Sequence, residues 1–224
     1  MWENFLALPS WSQLAAVVIG AVAGATHAAR RGFDVIGVLG LAIATGLGGL
    51  LLRDILLQAG TSVVLLQSQY IVGASLAALA GYFFAGLISR VGNLLLVFDA
   101  FALGFLVSVG TDQAVRLALP AGSAIFIGVV TGVGGLVLRD ILSGEAPQIL
   151  RPGVFIAVAA LAGAVVFMAL QRYTQLPGSI VQLTTVAVVV LLRVGARWRD
   201  WETRPAVDYT DRIWQLWAKV GDRL

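Results

Sequence analysis

Residues 43–56 read Ile-Ala-Thr45-Gly46-Leu-Gly48-Gly49-Leu-Leu-Leu-Arg53-Asp54-Ile-Leu, and residues 129–142 read Val-Val-Thr131-Gly132-Val-Gly134-Gly135-Leu-Val-Leu-Arg139-Asp140-Ile-Leu. At a constant offset of 86, ten of these fourteen positions are identical, which marks an internal duplication. Each copy lies in a long apolar run, where every glycine weakens a helix by about 1 kcal/mol and an Arg-Asp dipeptide is costly in lipid. Sequence that works against a plain apolar helix, twice and in matching positions, is the first candidate for a functional site.

Hydrophobic residues make up 59% of the 224, charged residues 12%, and the mean hydropathy is +0.91. Soluble domains carry about a quarter charged residues, so the composition specifies a polytopic membrane protein. The absence of cysteine excludes disulfides and thiolate chemistry, and the single His27 cannot build a histidine metal cluster. Seven of the fifteen basic residues follow position 192, which suits a lipid-facing end rather than nucleic-acid binding. The opening Met1-Trp2-Glu3-Asn4 lacks the basic region of a cleaved signal peptide, so the first apolar run reads as a retained span.

A spanning helix needs roughly 20 apolar residues, and on that measure the sequence predicts seven, at about 13–29, 33–57, 70–89, 93–110, 119–142, 153–171 and 179–194. Thr111-Asp112 and the glutamine-rich 58–69 stretch read as breaks between them. The offset aligns span one with span four and span two with span five, setting Gln13 on Asp99 and Gly24 on Gly110. Spans three and six complete the two units. A unit of three spans is odd, so the second copy enters the membrane inverted. The expected fold is all-α, with seven transmembrane helices as two inverted three-helix repeats (about 13–89 and 93–171) plus a seventh helix (about 179–194). Together they form a membrane domain over 10–195, followed by a basic, aromatic tail over 196–224. Loops one, three and five carry Arg30, Arg31, Arg90 and Arg151, which places that side and the C-terminus in the cytoplasm and the N-terminus outside. From Tyr209 the tail spaces Ile213, Leu216, Trp217 and Val220 along one face, as a helix lying on a membrane surface does.

Thr45, Gly49 and Arg53 share one helical face, as do Thr131, Gly135 and Arg139. A helix broken at these glycines would free carbonyl oxygens which, with threonine hydroxyls, can replace the hydration shell of an alkali cation. The plainer reading is that the glycines only permit close helix packing. Neighbouring residues on a helix do not face each other, so Arg53 and Arg139 are expected to find partners on other helices rather than on Asp54 and Asp140. Asp99 stands at the level of Arg139, whereas Arg53 is expected to meet Gln13, backbone carbonyls or water. Asp34 reads as a helix N-cap, and His27 as an interfacial residue without a chemical role. No nucleophile with a base and no phosphate loop is present, so an enzyme is not expected. Small-residue faces at Gly73, Ala77, Ala80 and Gly81, and at Ala159, Gly163 and Ala164, read as contacts between subunits.

At Ala28-Ala-Arg30-Arg-Gly32-Phe-Asp34-Val-Ile-Gly37, at both Thr-Gly-x-Gly-Gly-x-x-x-Arg-Asp copies and at Gly144-Glu-Ala-Pro147, the chain resembles the prokaryotic TRIC (trimeric intracellular cation) channels, also described as a glycine-transporter-like family. The resemblance covers roughly residues 10–195. It implies a homotrimer in a prokaryotic plasma membrane, with one pore per protomer lined by glycine-kinked spans two and five. The implied ion path runs past Thr45, Gly46, Gly48, Gly49, Thr131, Gly132, Gly134 and Gly135; Arg53, Asp54, Asp99, Arg139 and Asp140, read from their own places in the spans, form either a charged gate or purely structural ion pairs. It implies potassium as the chief permeant ion, with sodium second, lipid as a bound partner, and no cofactor, tightly held metal or nucleic acid. The chain departs from the family pattern at Leu50 and Leu136, where a further glycine is common, and at Gln13, where an acidic residue is common. Two other readings stay open: a small amino-acid carrier for glycine, and a membrane scaffold whose glycines only pack helices.

Overall fold

The computed structural model describes residues 8, 10–58, 60–90, 94–151, 155–199 and 201. The expected surface helix of the tail lies outside them. The described residues form α1 (Ser10–Arg30), α2 (Val35–Leu57), a one-turn α3 (Val63–Leu66), α4 (Gln69–Arg90), α5 (Leu94–Arg116), α6 (Ala121–Leu142), α7 (Ile156–Tyr173) and α8 (Gly178–Trp198), with a 3-10 turn at Gln148–Leu150. Six of these helices are long and apolar enough to cross a membrane, and the apolar part of α4, Gln69–Phe84, is shorter. No strand occurs among the described residues.

Local chemistry sets the helix ends. Asp34 is the N-cap of α2, in extended backbone, accepting the Gly37 N–H at 2.7 Å. Gly32, with φ +75°, takes the left-handed turn that closes α1, a conformation costly for any residue with a Cβ. One expected break is corrected. Thr111-Asp112 does not end its span: α5 continues to Arg116, because the Thr111 hydroxyl donates to the Val107 carbonyl at 2.8 Å and Asp112 pairs with Arg116 one turn on at 2.7 Å. The 58–69 stretch does separate α2 from α4, and within it Ser62 caps the single turn of α3.

Helix α1 packs on α2, α4 and α5, α2 crosses α6, and α5 packs on α6, α7 and α8. One core joins Ala16, Ala21, Ala25 and Ala28 of α1 to Leu41, Leu47 and Leu50 of α2 and Ala74, Ala77 and Ala78 of α4. A second joins Leu103 and Val107 to Val133, Leu136, Ala159, Ala160 and Val189. Because lipid is as apolar as leucine, such helices hold together by close backbone approach, which alanine and glycine allow. That need absorbs most of the small-residue faces assigned to subunit contact. A methyl at Gly81 would meet Ala25 and Val22 of α1, one at Gly163 would meet Val189 of α8, and Ala77, Ala159 and Ala164 are buried inside the protomer. The outward side of α4 instead carries Val72, Leu76, Phe83 and Phe84.

Candidate functional site: twin arginine–aspartate clusters

The repeated segment is where α2 and α6 cross. A Cβ on Gly49 would land on the Thr131 carbonyl oxygen, and one on Gly135 would land on the Thr45 carbonyl oxygen. Gly48 faces Leu138 while Gly134 faces Leu52, so each contact recurs with the two copies exchanged. The expected helix break is absent: α2 and α6 are uninterrupted α-helix through both glycine segments. The backbone carbonyls stay in their ladders, and the missing side chains admit the partner helix instead. Both threonines are buried and turn their hydroxyls onto their own helices, Thr45 onto Leu41 and Thr131 onto Ile127, each at 2.6 Å. Such back-bonding often bends a helix without breaking it. Thr45 fills the space left by Gly24, and Thr131 that left by Gly110, the pair of glycines the offset aligns.

One charged cluster lies toward each end of this crossing. Near the end of α6, Arg139 is 1% exposed and its Nη1 donates to both oxygens of Asp99, at 3.2 and 3.3 Å. The expectation that an arginine cannot serve the next aspartate is corrected. Arg139 Nε and Nη2 donate to Asp140 Oδ1 at 3.1 and 3.0 Å, and Arg53 Nε and Nη2 reach Asp54 Oδ1 at 2.8 and 2.6 Å. Cβ directions keep adjacent short side chains apart, but the long arginine stem folds back and lays its planar fork on the carboxylate.

Each aspartate also holds the segment that follows its helix. Asp54 Oδ2 accepts Ser62 Oγ at 2.6 Å and the Val63 N–H at 3.1 Å, at the start of α3, and Asp140 Oδ2 accepts the Gln148 N–H at 2.7 Å, at the start of the 3-10 turn. Sequence reasoning missed this role, for which Ser62 before an apolar turn was the available signal. It also did not single out Arg193. His27 lies in the field of Arg139, Arg31, Asp140 and Asp99, and Arg193 of α8 is 5% exposed within the field of Asp99 and Arg139. Arg31 pairs with Glu145 above them.

Polar cavities flank the crossing. On the Arg53 side a cavity of about 150 Å³ is lined by Gln13, Arg53, Asp54, Thr61 and Gln113, among others. On the Arg139 side one of about 250 Å³ is lined by His27, Arg30, Arg31 and Leu95. The offset of 86 relates the clusters residue by residue: Gln13 to Asp99, Arg53 to Arg139, Asp54 to Asp140, and His27 to Gln113. No group of three metal-ligating side chains occurs among the described residues.

Comparison with known proteins agrees with this duplicated plan. A family model described as glycine transporter matches twice, at residues 10–86 and 96–172, ends that are again 86 apart. A UPF0126 membrane protein of Deinococcus radiodurans is 33% identical over 155 residues, covering 69% of this chain and 72% of its own length. The UPF0126 inner membrane protein YadS of Escherichia coli is 28% identical over 190 residues, covering 84% and 91%. Among solved structures, one on conductance through TRIC cation channels superposes with a TM-score of 0.80 at 31% identity, covering 90% of this chain and 99% of that one. The TRIC trimeric intracellular cation channel orthologue from Rhodobacter sphaeroides gives a TM-score of 0.77 at 30% identity, covering 83% and 94%. With both halves matched by the family model and TRIC channels as its structural kin, this chain belongs to the glycine-transporter family of membrane proteins, the family of the prokaryotic TRIC channels.

Proposed function

We propose that the protein is a channel for monovalent cations, chiefly potassium, with one path per protomer running along the α2–α6 crossing and three protomers per assembly. The observation that carries this reading is the reciprocal contact at the crossing: Gly49 on Thr131 and Gly135 on Thr45, with an arginine–aspartate pair and a polar cavity toward either end. Contacts that recur with the copies exchanged are the signature of a two-fold relation, and as positions advance along α2 their partners recede along α6. Both features support an inverted repeat, the architecture in which ion paths run between the halves. In this reading Thr45, Gly46, Gly48, Gly49 and their counterparts Thr131, Gly132, Gly134 and Gly135 form the narrow, closed centre, and Arg53, Asp54, Asp99, Arg139 and Asp140 gate the approaches. The names of the structural relatives, TRIC cation channels and a trimeric orthologue, support both the ion and the assembly. Arginine-rich loops at Arg30, Arg31 and Arg151 support a cytoplasmic Arg139 side and an external N-terminus.

The family description keeps glycine transport as a second reading. Carriers of this architecture hold the substrate carboxylate on helix ends at mid-membrane, and uninterrupted α2 and α6 offer none there, which favours the channel. Recording the purified protein in a planar bilayer decides between them. The channel gives unitary potassium currents, while saturable, gradient-coupled uptake of labelled glycine with no unitary current would establish the carrier.

A further inference from the structure

The duplication supplies an internal comparison. Both arginines spend Nε and Nη2 on the aspartate that follows them. They differ at Nη1. Arg139 Nη1 donates to both oxygens of Asp99, whereas Arg53 Nη1, in a side chain equally removed from solvent, has no acceptor among the described residues. The copies differ at the matching position: where the Arg139 copy has Asp99, this one has Gln13, in the same cavity wall as Arg53. Its Oε1 accepts the Tyr70 hydroxyl at 3.4 Å, which leaves its amide N–H groups as donors.

The cavity of about 150 Å³ lies at this position, with Gln13, Arg53, Thr61 and Gln113 in its wall. Asp54 also borders it, but that carboxylate is committed, with Oδ1 on Arg53 and Oδ2 on Ser62 and Val63. The free hydrogen-bonding capacity is therefore weighted toward donors around a buried guanidinium. With roughly 30 Å³ per water, the space of about 150 Å³ holds about five waters, so a halide or a one-carbon carboxylate fits with several waters around it, whereas a bulky polyol acid would have to displace nearly all of them.

We propose that this cavity binds a small monovalent anion, chloride or a carboxylate of formate size, which takes at Arg53 the place that the Asp99 carboxylate takes at Arg139. Resting on the channel reading, the bound anion cancels the positive field of Arg53 at that mouth, so cation conduction there depends on the anion present. Replacing Gln13 by aspartate builds the missing carboxylate in and makes the external anion redundant.

The test uses the full-length protein in detergent, melted in potassium chloride, potassium formate or potassium gluconate at equal ionic strength. Chloride, formate or both should raise the midpoint over gluconate by about 2–4 °C, and Gln13→Asp should abolish the difference. A response to chloride alone assigns a halide site, and one to formate alone a carboxylate site. Should the variant fail to fold, bromide-soaked wild-type crystals provide the second measurement, with anomalous density expected beside Arg53 Nη1. Equal midpoints in all three salts with no bromide at Arg53 would overturn the proposal, as would a salt response that survives in Gln13→Asp. A rise on adding glycine to the potassium gluconate sample, with none from chloride or formate, would also overturn it, in favour of a zwitterion. None of these readouts needs ion flux, so the channel reading stands or falls separately in the bilayer.

Discussion

Arg139 and Asp99 form a buried, two-point contact between α6 and α5, Nη1 lying 3.2 and 3.3 Å from the two carboxylate oxygens. Losing Asp99 leaves two buried arginines, Arg139 and Arg193, with Asp140 as the remaining carboxylate of the cluster among the described residues, and an uncompensated buried charge costs more than the pair itself contributes. Asp99→Asn should lower stability by about 3 kcal/mol, whereas Gln13→Ala at the equivalent position should cost less than about 1 kcal/mol. Thermal melts of both variants in one detergent check this, and equal losses would refute it.

The two arginines should differ in function as they differ in compensation. Among the described residues, Arg139 faces Asp99 and Asp140, and Arg53 faces only Asp54. The less compensated charge repels cations more strongly when no small anion neutralises it, so in potassium gluconate Arg53→Ala should raise potassium flux into liposomes more than Arg139→Ala does. Matching effects from the two variants would count against a gating role for Arg53.

At the crossing, a methyl group on Gly49 or Gly135 would overlap a carbonyl oxygen of the opposite helix. Gly49→Ala and Gly135→Ala should each destabilise by about 1–3 kcal/mol through overpacking. Gly40 of the same helix α2 has open space around it, and Gly40→Ala should be neutral or stabilise by up to about 1 kcal/mol. If all three variants melt alike, the glycines do not act through close approach.

Ser62 ties α3 to Asp54 through a 2.6 Å hydrogen bond. Ser62→Ala should cost about 1 kcal/mol and speed amide hydrogen exchange over Val63–Leu66 while leaving the α2–α6 contact protected. Unchanged exchange in that segment would show that the aspartate does not hold it.

Much of this architecture follows from the chain alone. Composition dictates a membrane protein, the offset of 86 dictates a duplicated unit, and the depth of Asp99 along its span puts it level with Arg139. These readings succeed because hydrophobic length and position along a helix axis are one-dimensional quantities. Rotation about the axis and the reach of a side chain are not. The sequence contains the glycines, but whether they break a helix or admit a neighbour depends on what lies opposite, and only the crossing shows Gly49 against Thr131. Adjacency in sequence argued against Arg53–Asp54 and Arg139–Asp140 pairs. The tertiary structure makes both, because the arginine stem is long enough to turn back onto the carboxylate that follows it. The single change from Asp99 to Gln13 is plain in the sequence. That it leaves a buried guanidinium nitrogen beside a cavity with no acceptor among the described residues is decided only by the packing of α1, α2 and α5 around it.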